Sequence, residues 1–174
     1  MWRAYSPPAR SEHYLTHMAN SHVVAYWHLV WAVKYRENVV TEPFRVPLQK
    51  IITLLFAETE QKVLDIYAMP DHTHIVLRYK YTHLLPKVIN DVKSNSSRMA
   101  KELGIENFTW QPGGGAFTIC PEHVEVKRRY VRRQPEHHAA TKTTFVEEYR
   151  DMLLSAGLKY DGRYALVHPI EWNG

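Results

Sequence analysis

Residues 68–77, Ala-Met-Pro-Asp-His-Thr-His-Ile-Val-Leu, carry the strongest structural signal in the chain. The Pro-Asp pair predicts a turn, and the β-branched residues that follow it predict a strand. Because successive side chains of a strand point to opposite faces, His72 and His74 share one face while Thr73 and Ile75 share the other. Two imidazoles that project together in this way are a typical half-site for a divalent metal.

The patterns on either side of this strand predict an α+β fold. The predicted elements are, in chain order, strand 26–34, helix 48–56, strand 63–68, the histidine strand, helix 85–99, strands 108–111 and 116–120, and two helices, one with Tyr130 and one built on Phe145 and Tyr149. The order β-α-β-β-α-β is that of a ferredoxin-like split motif, an antiparallel sheet with both crossover helices on one face. His28, Lys34 and the histidine pair would then lie on the opposite face, an open surface where a ligand and the helix with Tyr130 could dock.

Length and composition restrict the class of protein. A chain of 174 residues suits one domain, which we place at residues 21–174 after a poorly ordered tail at 1–20. No apolar run is long enough for a membrane span, and the single cysteine, Cys120, fits a reducing cytoplasm. The net charge of +4 is a weak indication of a nucleic-acid partner.

A second group of polar residues follows the last predicted strand. Residues 127–134, Lys-Arg-Arg-Tyr-Val-Arg-Arg-Gln, predict a helix on which Tyr130 and Gln134 share a face, and Pro135 should kink or end it just after Gln134. The basic residues that we consider candidates for DNA phosphate contacts are Lys34, Arg36, Lys93, Arg98, Arg128, Arg129, Arg132 and Arg133. The alternative for the four arginines around Tyr130 is a solvated helix face.

Taken together, these motifs resemble the single-tyrosine HUH transposases of small bacterial insertion sequences, the IS200-like group. The resemblance is carried by Met-Pro-Asp-His-Thr-His at 69–74, Tyr-Val-Arg-Arg-Gln-Pro-Glu-His-His at 130–138, the strand at 27–36, Trp-Gln-Pro-Gly-Gly-Gly-Ala-Phe at 110–117 and Tyr-Asp-Gly-Arg-Tyr at 160–164. Each motif is weak alone, whereas their joint order and spacing are specific.

The resemblance implies a homodimeric enzyme that cuts and rejoins single-stranded DNA at folded hairpin ends in the bacterial cytoplasm. It implies that Tyr130 attacks the phosphate to give a 5′-phosphotyrosine, and that His72, His74 and Gln134 hold Mg²⁺ or Mn²⁺. It also implies that the tyrosine of one subunit lies against the histidine pair of the other. The chemistry is consistent, because a phenol is a weak nucleophile at neutral pH and a metal on the phosphate offsets that weakness.

The same motifs are consistent with two other functions. A chromosomally domesticated REP-associated tyrosine transposase is the nearest alternative, although those relatives more often have Asn-Pro where this chain has Gln134-Pro135. A catalytically silent module that binds DNA hairpins is the alternative from another class. We assign His137 and His138 to packing or capping at a helix end rather than to catalysis. The glycine run at 113–115 is either a flexible turn or a point of close approach to DNA.

Overall fold

Four strands and five helices make up the part of the chain that a computed structural model of the protein describes, residues 23–106 and 108–160. They are β1 (Ala25–Ala32), α1 (Glu42–Glu58), β2 (Lys62–Ala68), β3 (His72–Tyr79), α2 (Leu85–Glu102), β4 (Gly115–Ile119), α3 (Val124–Arg132), α4 (Gln134–Thr141) and α5 (Phe145–Ser155). The expected tail at 1–20 and all but the first residue of the motif at 160–164 lie outside the described residues.

The sheet confirms the predicted α+β class. Its strands run in the order β2-β3-β1-β4 with every neighbouring pair antiparallel. The strand predicted at 26–34 and the predicted histidine strand correspond to β1 and β3, the central pair of the sheet. Their register places Trp31 opposite Thr73 and Val30 opposite His74. This is the arrangement of the ferredoxin-like split motif.

The main core lies between one face of the sheet and helices α1 and α2. Leu29 and Trp31 of β1 and Ile75 and Leu77 of β3 are fully or almost fully buried there. The helices contribute residues at helical spacing, namely Leu48, Ile52 and Phe56 from α1 and Val88 and Val92 from α2. The period-2 and period-3.6 patterns of the sequence thus meet in one apolar layer.

The opposite face of the sheet is covered by α3, whose docking there was expected, and also by α5, which was not expected there. Val30 and Ala32 pack there against Phe145 and Tyr149 of α5 in a second apolar cluster. Since these β1 residues are apolar on the second face as well, burying them under a helix removes their surface from water. The histidines on this face are therefore buried with them.

Two local predictions also differ from the structure. The strand expected at 108–111 is reduced to a single bridge between Val33 and Trp110. The helix with Tyr130 ends at Arg132, two residues earlier than expected, and Gln134 begins α4. Pro135 then occupies the first turn of α4, where its missing N–H costs nothing.

The glycine run is a point of close approach within the protein itself. Gly114 has φ +142°, and a Cβ there would lie 2.7 Å from the carbonyl oxygen of Val30. The ammonium of Lys93 holds the same turn by donating to the carbonyl oxygens of Gln111 at 2.6 Å and Gly113 at 2.5 Å. Burial lowers the pKa of Lys93 to about 8.

Within the described ranges, none of the helices combines the length and apolar character that a bilayer crossing requires.

Candidate active site

The histidine pair lies on β3 under the C-terminal helices. His72 is 2% exposed and His74 is fully buried. The Nδ1 of His72 donates to Asp71 Oδ1 at 2.7 Å, and Asp71 in turn accepts from Arg36 Nε at 3.3 Å. The Nδ1 of His74 is 3.0 Å from His28 Nε2, so the two rings share one hydrogen bond. These contacts fix the rings of His72 and His74 through their Nδ1 atoms. The Nε2 atoms of His72 and His74 lie on the other side of each ring.

Tyr130 on α3 lies beside this pair in the same chain. Its ring meets those of His28 and His74 nearly edge-on, with centroids 6.0 and 5.9 Å apart. The Nζ of Lys127, one turn earlier on α3, is 4.6 Å from the centre of the tyrosine ring. The phenol hydroxyl donates a hydrogen bond to the carboxylate of Glu148.

Glu148 on α5 is a central residue of the site that the sequence interpretation missed. It is 6% exposed, and its Oε1 accepts from Gln134 Nε2 at 3.2 Å as well as from Tyr130. Its Oε2 is 3.6 Å from His74 Nε2 and 3.2 Å from His138 Nε2. A signal was present, because Glu148 shares the spacing of Phe145, Tyr149 and Met152 and so occupies the apolar face of its helix.

His138 has a double role. Its Nδ1 donates to the carbonyl oxygen of Thr143 at 2.9 Å, which is the helix-end contact expected from the sequence. Its Nε2, however, faces the site, and one ligand atom from each of His72, His138 and Glu148 lies within 4.8 Å of the others. The described residues thus contain a possible His/Glu metal site.

Burial controls the electrostatics of these groups. Desolvation lowers the pKa of His72, His74 and His138, and it lowers that of His28 well below its ordinary value. Neutral imidazole, the form that binds a metal, is therefore favoured. Desolvation also lowers the pKa of Lys127, while the charge of Glu148 opposes that shift.

The site fits a divalent cation. Five of its side-chain atoms are buried without a hydrogen-bond partner among the described residues, namely His72 Nε2, His74 Nε2, Gln134 Oε1, His138 Nε2 and Glu148 Oε2. Buried polar atoms normally have partners, and imidazole nitrogen and amide or carboxylate oxygen are donor types that coordinate divalent metals.

Four of the eight candidate phosphate-binding residues, Arg36, Lys93, Arg128 and Arg132, are held by contacts to other elements of the protein. Arg132 Nε donates to Asp65 Oδ1 on β2 at 2.6 Å, and Arg128 pairs with the same carboxylate. Lys93 is bound to the glycine turn. These contacts position α3 and the turn rather than leaving the charges free.

The other four candidates, Lys34, Arg98, Arg129 and Arg133, are exposed. Arg129 and Arg133 are exposed and, with Tyr130 and His137, line an open cleft of about 390 Å³. Arg98 is exposed and pairs with Glu102 of the next turn. Lys34 is exposed, whereas Arg36 is held by Asp71. The other exposed candidates are thus scattered over the surface, and the two arginines at the cleft are next to Tyr130.

A ferredoxin-like sheet with a histidine pair beside a helix-borne tyrosine defines the class of Y1 tyrosine transposases. Residues 21–134 match the sequence model described as "Transposase IS200 like". The chain belongs to that family of DNA transposases.

Individual relatives agree with this assignment. The ISDra2 transposase TnpA of Deinococcus radiodurans is 31% identical over 115 residues, which cover 62% of this chain and 82% of that protein. A crystal structure from Deinococcus radiodurans R1, described as that of a transposase, is similar with a TM-score of 0.54 at 20% identity, over 66% of this chain and 94% of that one. The REP-associated tyrosine transposase bound to a REP hairpin is similar with a TM-score of 0.53 at 17% identity, over 86% of each chain. The two solved structures support the fold.

Proposed function

We propose that this transposase cleaves and rejoins single-stranded DNA at hairpin ends of a mobile element, through a 5′-phosphotyrosine on Tyr130. The observation that supports this most strongly is the convergence on one buried site of a tyrosine hydroxyl, two fixed imidazoles and the Gln134 amide. A nucleophile and a set of metal-binding atoms within a few ångströms are what phosphodiester attack by a tyrosine requires.

The residues of the chain have separate tasks in this mechanism. Asp71 fixes the tautomer of His72, and His28 orients His74. Glu148 Oε1 holds the hydroxyl proton of Tyr130 and so directs the phenol oxygen. As that oxygen bonds to phosphorus, its proton passes to the Glu148 carboxylate and the bond from phosphorus to the 3′ oxygen breaks. The leaving oxygen takes a proton from water, so the upstream strand departs with a free 3′-hydroxyl. The ester to Tyr130 conserves the bond energy, so attack by another 3′-hydroxyl rejoins the strand.

His72, His74 and Gln134 are the proposed ligands of Mg²⁺ or Mn²⁺. When bound, such an ion neutralises charge on the scissile phosphate and fixes the geometry of attack. Neutral imidazoles and an amide oxygen suit the role because a site with few negative ligands leaves the ion a net positive charge for the phosphate.

The proposed substrate and assembly follow from the family. A relative of the same fold is bound to a hairpin, which supports folded single strands as the ligand of this chain. Arg129 and Arg133 border the cleft at Tyr130, where they can contact phosphates. We further propose that the enzyme acts in the bacterial cytoplasm as a homodimer, since closed two-fold pairing is the commonest oligomer geometry.

Removing one oxygen tests the proposal. Tyr130→Phe keeps the ring but has no nucleophile, so binding of single-stranded oligonucleotides from the ends flanking the gene should persist while cleavage is lost. Tyr149→Phe, which removes a hydroxyl from a neighbouring ring on α5, is the matched control and should cleave normally. Strand cleavage by Tyr130→Phe at the wild-type rate would overturn the assignment.

A further inference from the structure

We propose that His138 and Glu148 are also metal ligands, so that three imidazoles, one amide oxygen and one carboxylate surround the ion. The inference rests on the metal site proposed above and extends its ligand set. Both residues lie beyond residue 134, where the match to the family ends. Their role therefore has to be argued from their own contacts.

His138 is held in the same way as His72. The Nδ1 of each ring faces an oxygen that can only accept, Asp71 Oδ1 for His72 and the Thr143 carbonyl for His138. Each Nδ1 must therefore carry the proton, which leaves Nε2 of the neutral ring with a bare lone pair. A second hydrogen bond that fixes the tautomer in this manner is the usual support of a metal-binding histidine.

The buried carboxylate of Glu148 also favours a cation at this position. Glu148 is 6% exposed, yet within the described ranges no lysine or arginine forms an ion pair with it. Lys127 acts on it only at longer range. Burying an unpaired carboxylate is costly, so a cation in direct contact is the expected compensation.

The two carboxylate oxygens of Glu148 have different neighbours. Oε1 accepts hydrogen bonds from Tyr130 and Gln134, whereas Oε2 faces His74 Nε2 at 3.6 Å and His138 Nε2 at 3.2 Å without a hydrogen bond. The lone pairs of Glu148 Oε2 and His138 Nε2, whose ring carries its proton on Nδ1, repel unless a cation lies between them. Glu148 thus connects the nucleophile, through Oε1, with the metal position, through Oε2.

This ligand set has a consequence for metal choice. Imidazole nitrogen favours first-row transition ions, whereas Mg²⁺ prefers oxygen ligands and retained water. A site with three imidazoles should therefore bind Mn²⁺ more tightly than Mg²⁺.

The Mn²⁺ affinity of the full chain tests the two ligands separately from catalysis. It is measured from the electron paramagnetic resonance signal of the Mn²⁺ that remains free. His138→Asn keeps a donor for the Thr143 carbonyl but removes Nε2, and Glu148→Gln keeps the shape but removes the charge. Each should weaken Mn²⁺ binding by at least about 10-fold, the lower range seen when even supporting residues of metal sites are changed. His83→Asn, at an exposed histidine outside the cluster, and Asp151→Asn, at an exposed carboxylate on the same helix as Glu148, should bind Mn²⁺ like the wild type.

A measurement on the unaltered protein guards against variants that fold poorly. Electron spin echo modulation of bound Mn²⁺ should contain the ¹⁴N couplings of three imidazoles, and couplings from only two would overturn the role of His138. Wild-type affinity in Glu148→Gln would overturn the role of Glu148. In both cases, loss of binding in His72→Asn would leave the proposed function intact. Absence of Mn²⁺ binding by the wild type, with cleavage in excess chelator, would instead overturn the metal site as a whole.

Discussion

His72 is held on three sides by contacts that the sequence did not predict. Its ring stacks on Phe145 with centroids 3.9 Å apart, its Nδ1 donates to Asp71, and the ring of His138 lies 5.3 Å away. Alternation along the strand was enough to predict that His72 and His74 share a face. It could not predict that α5 covers that face, because this depends on residues seventy positions later in the chain.

The burial of His72 predicts an effect on stability as well as on cleavage. His72→Ala removes the stacked ring and leaves Asp71 without its hydrogen-bond donor, so the free energy of unfolding should fall by about 2–3 kcal/mol. Urea denaturation measures it, with the exposed His83→Ala as the control that should change stability by less than about 0.5 kcal/mol. A loss for His72→Ala as small as that of the control would contradict the buried position.

Glu148 and Tyr130 illustrate why some site residues are visible in the sequence and others are not. Tyr130 stands out because arginines flank it and Gln134 follows one turn later. Glu148 stands in an acidic group with Glu147 and Asp151, which are exposed. A charged residue in such a group is ordinarily solvated, and only its place among the apolar positions of α5 distinguishes it.

At the scale of elements, α3 is tied to the sheet of its own chain. Asp65 on β2 accepts hydrogen bonds from both Arg128 and Arg132, and the Tyr130 hydroxyl binds Glu148 of the same chain. The resemblance to the family implied a tyrosine delivered to the partner subunit. In the single chain, α3 instead sets Tyr130 beside its own His74.

Mixing two inactive variants distinguishes these arrangements. Tyr130→Phe and His72→Asn each lack one part of the site, and His72→Asn keeps a donor for Asp71. If each chain supplies its own tyrosine, every site of a mixed dimer stays defective, so we expect no cleavage after subunit exchange.

Recovered cleavage in the mixture would show that the tyrosine helix crosses to the partner subunit. Hairpin binding by each variant alone is the control that both proteins are folded, and tagged subunits purified together establish that mixed dimers formed.

At the scale of the whole molecule, the sequence predicts the sheet better than the layer beneath its second face. Trp31, Ile75 and Phe56 follow periods that identify their elements without knowledge of the rest of the chain. Helices α3, α4 and α5 were recognisable as helices, but their packing on β1 and β3 depends on long-range contacts such as those of Asp65 and Phe145. The candidate metal site depends on the same long-range packing, because its metal-binding atoms come from three elements, β3, α4 and α5.

The central claim is that Tyr130 becomes covalently joined to the 5′ end of the cleaved strand. The most direct measurement uses one single-stranded oligonucleotide labelled at its 3′ end and a second labelled at its 5′ end. The account predicts that only the 3′ label is transferred to the protein, that the 5′ label is released on a fragment with a free 3′-hydroxyl, and that mass spectrometry locates the adduct on Tyr130. Transfer of the 5′ label, an adduct on another residue, or cleavage without any adduct would contradict it.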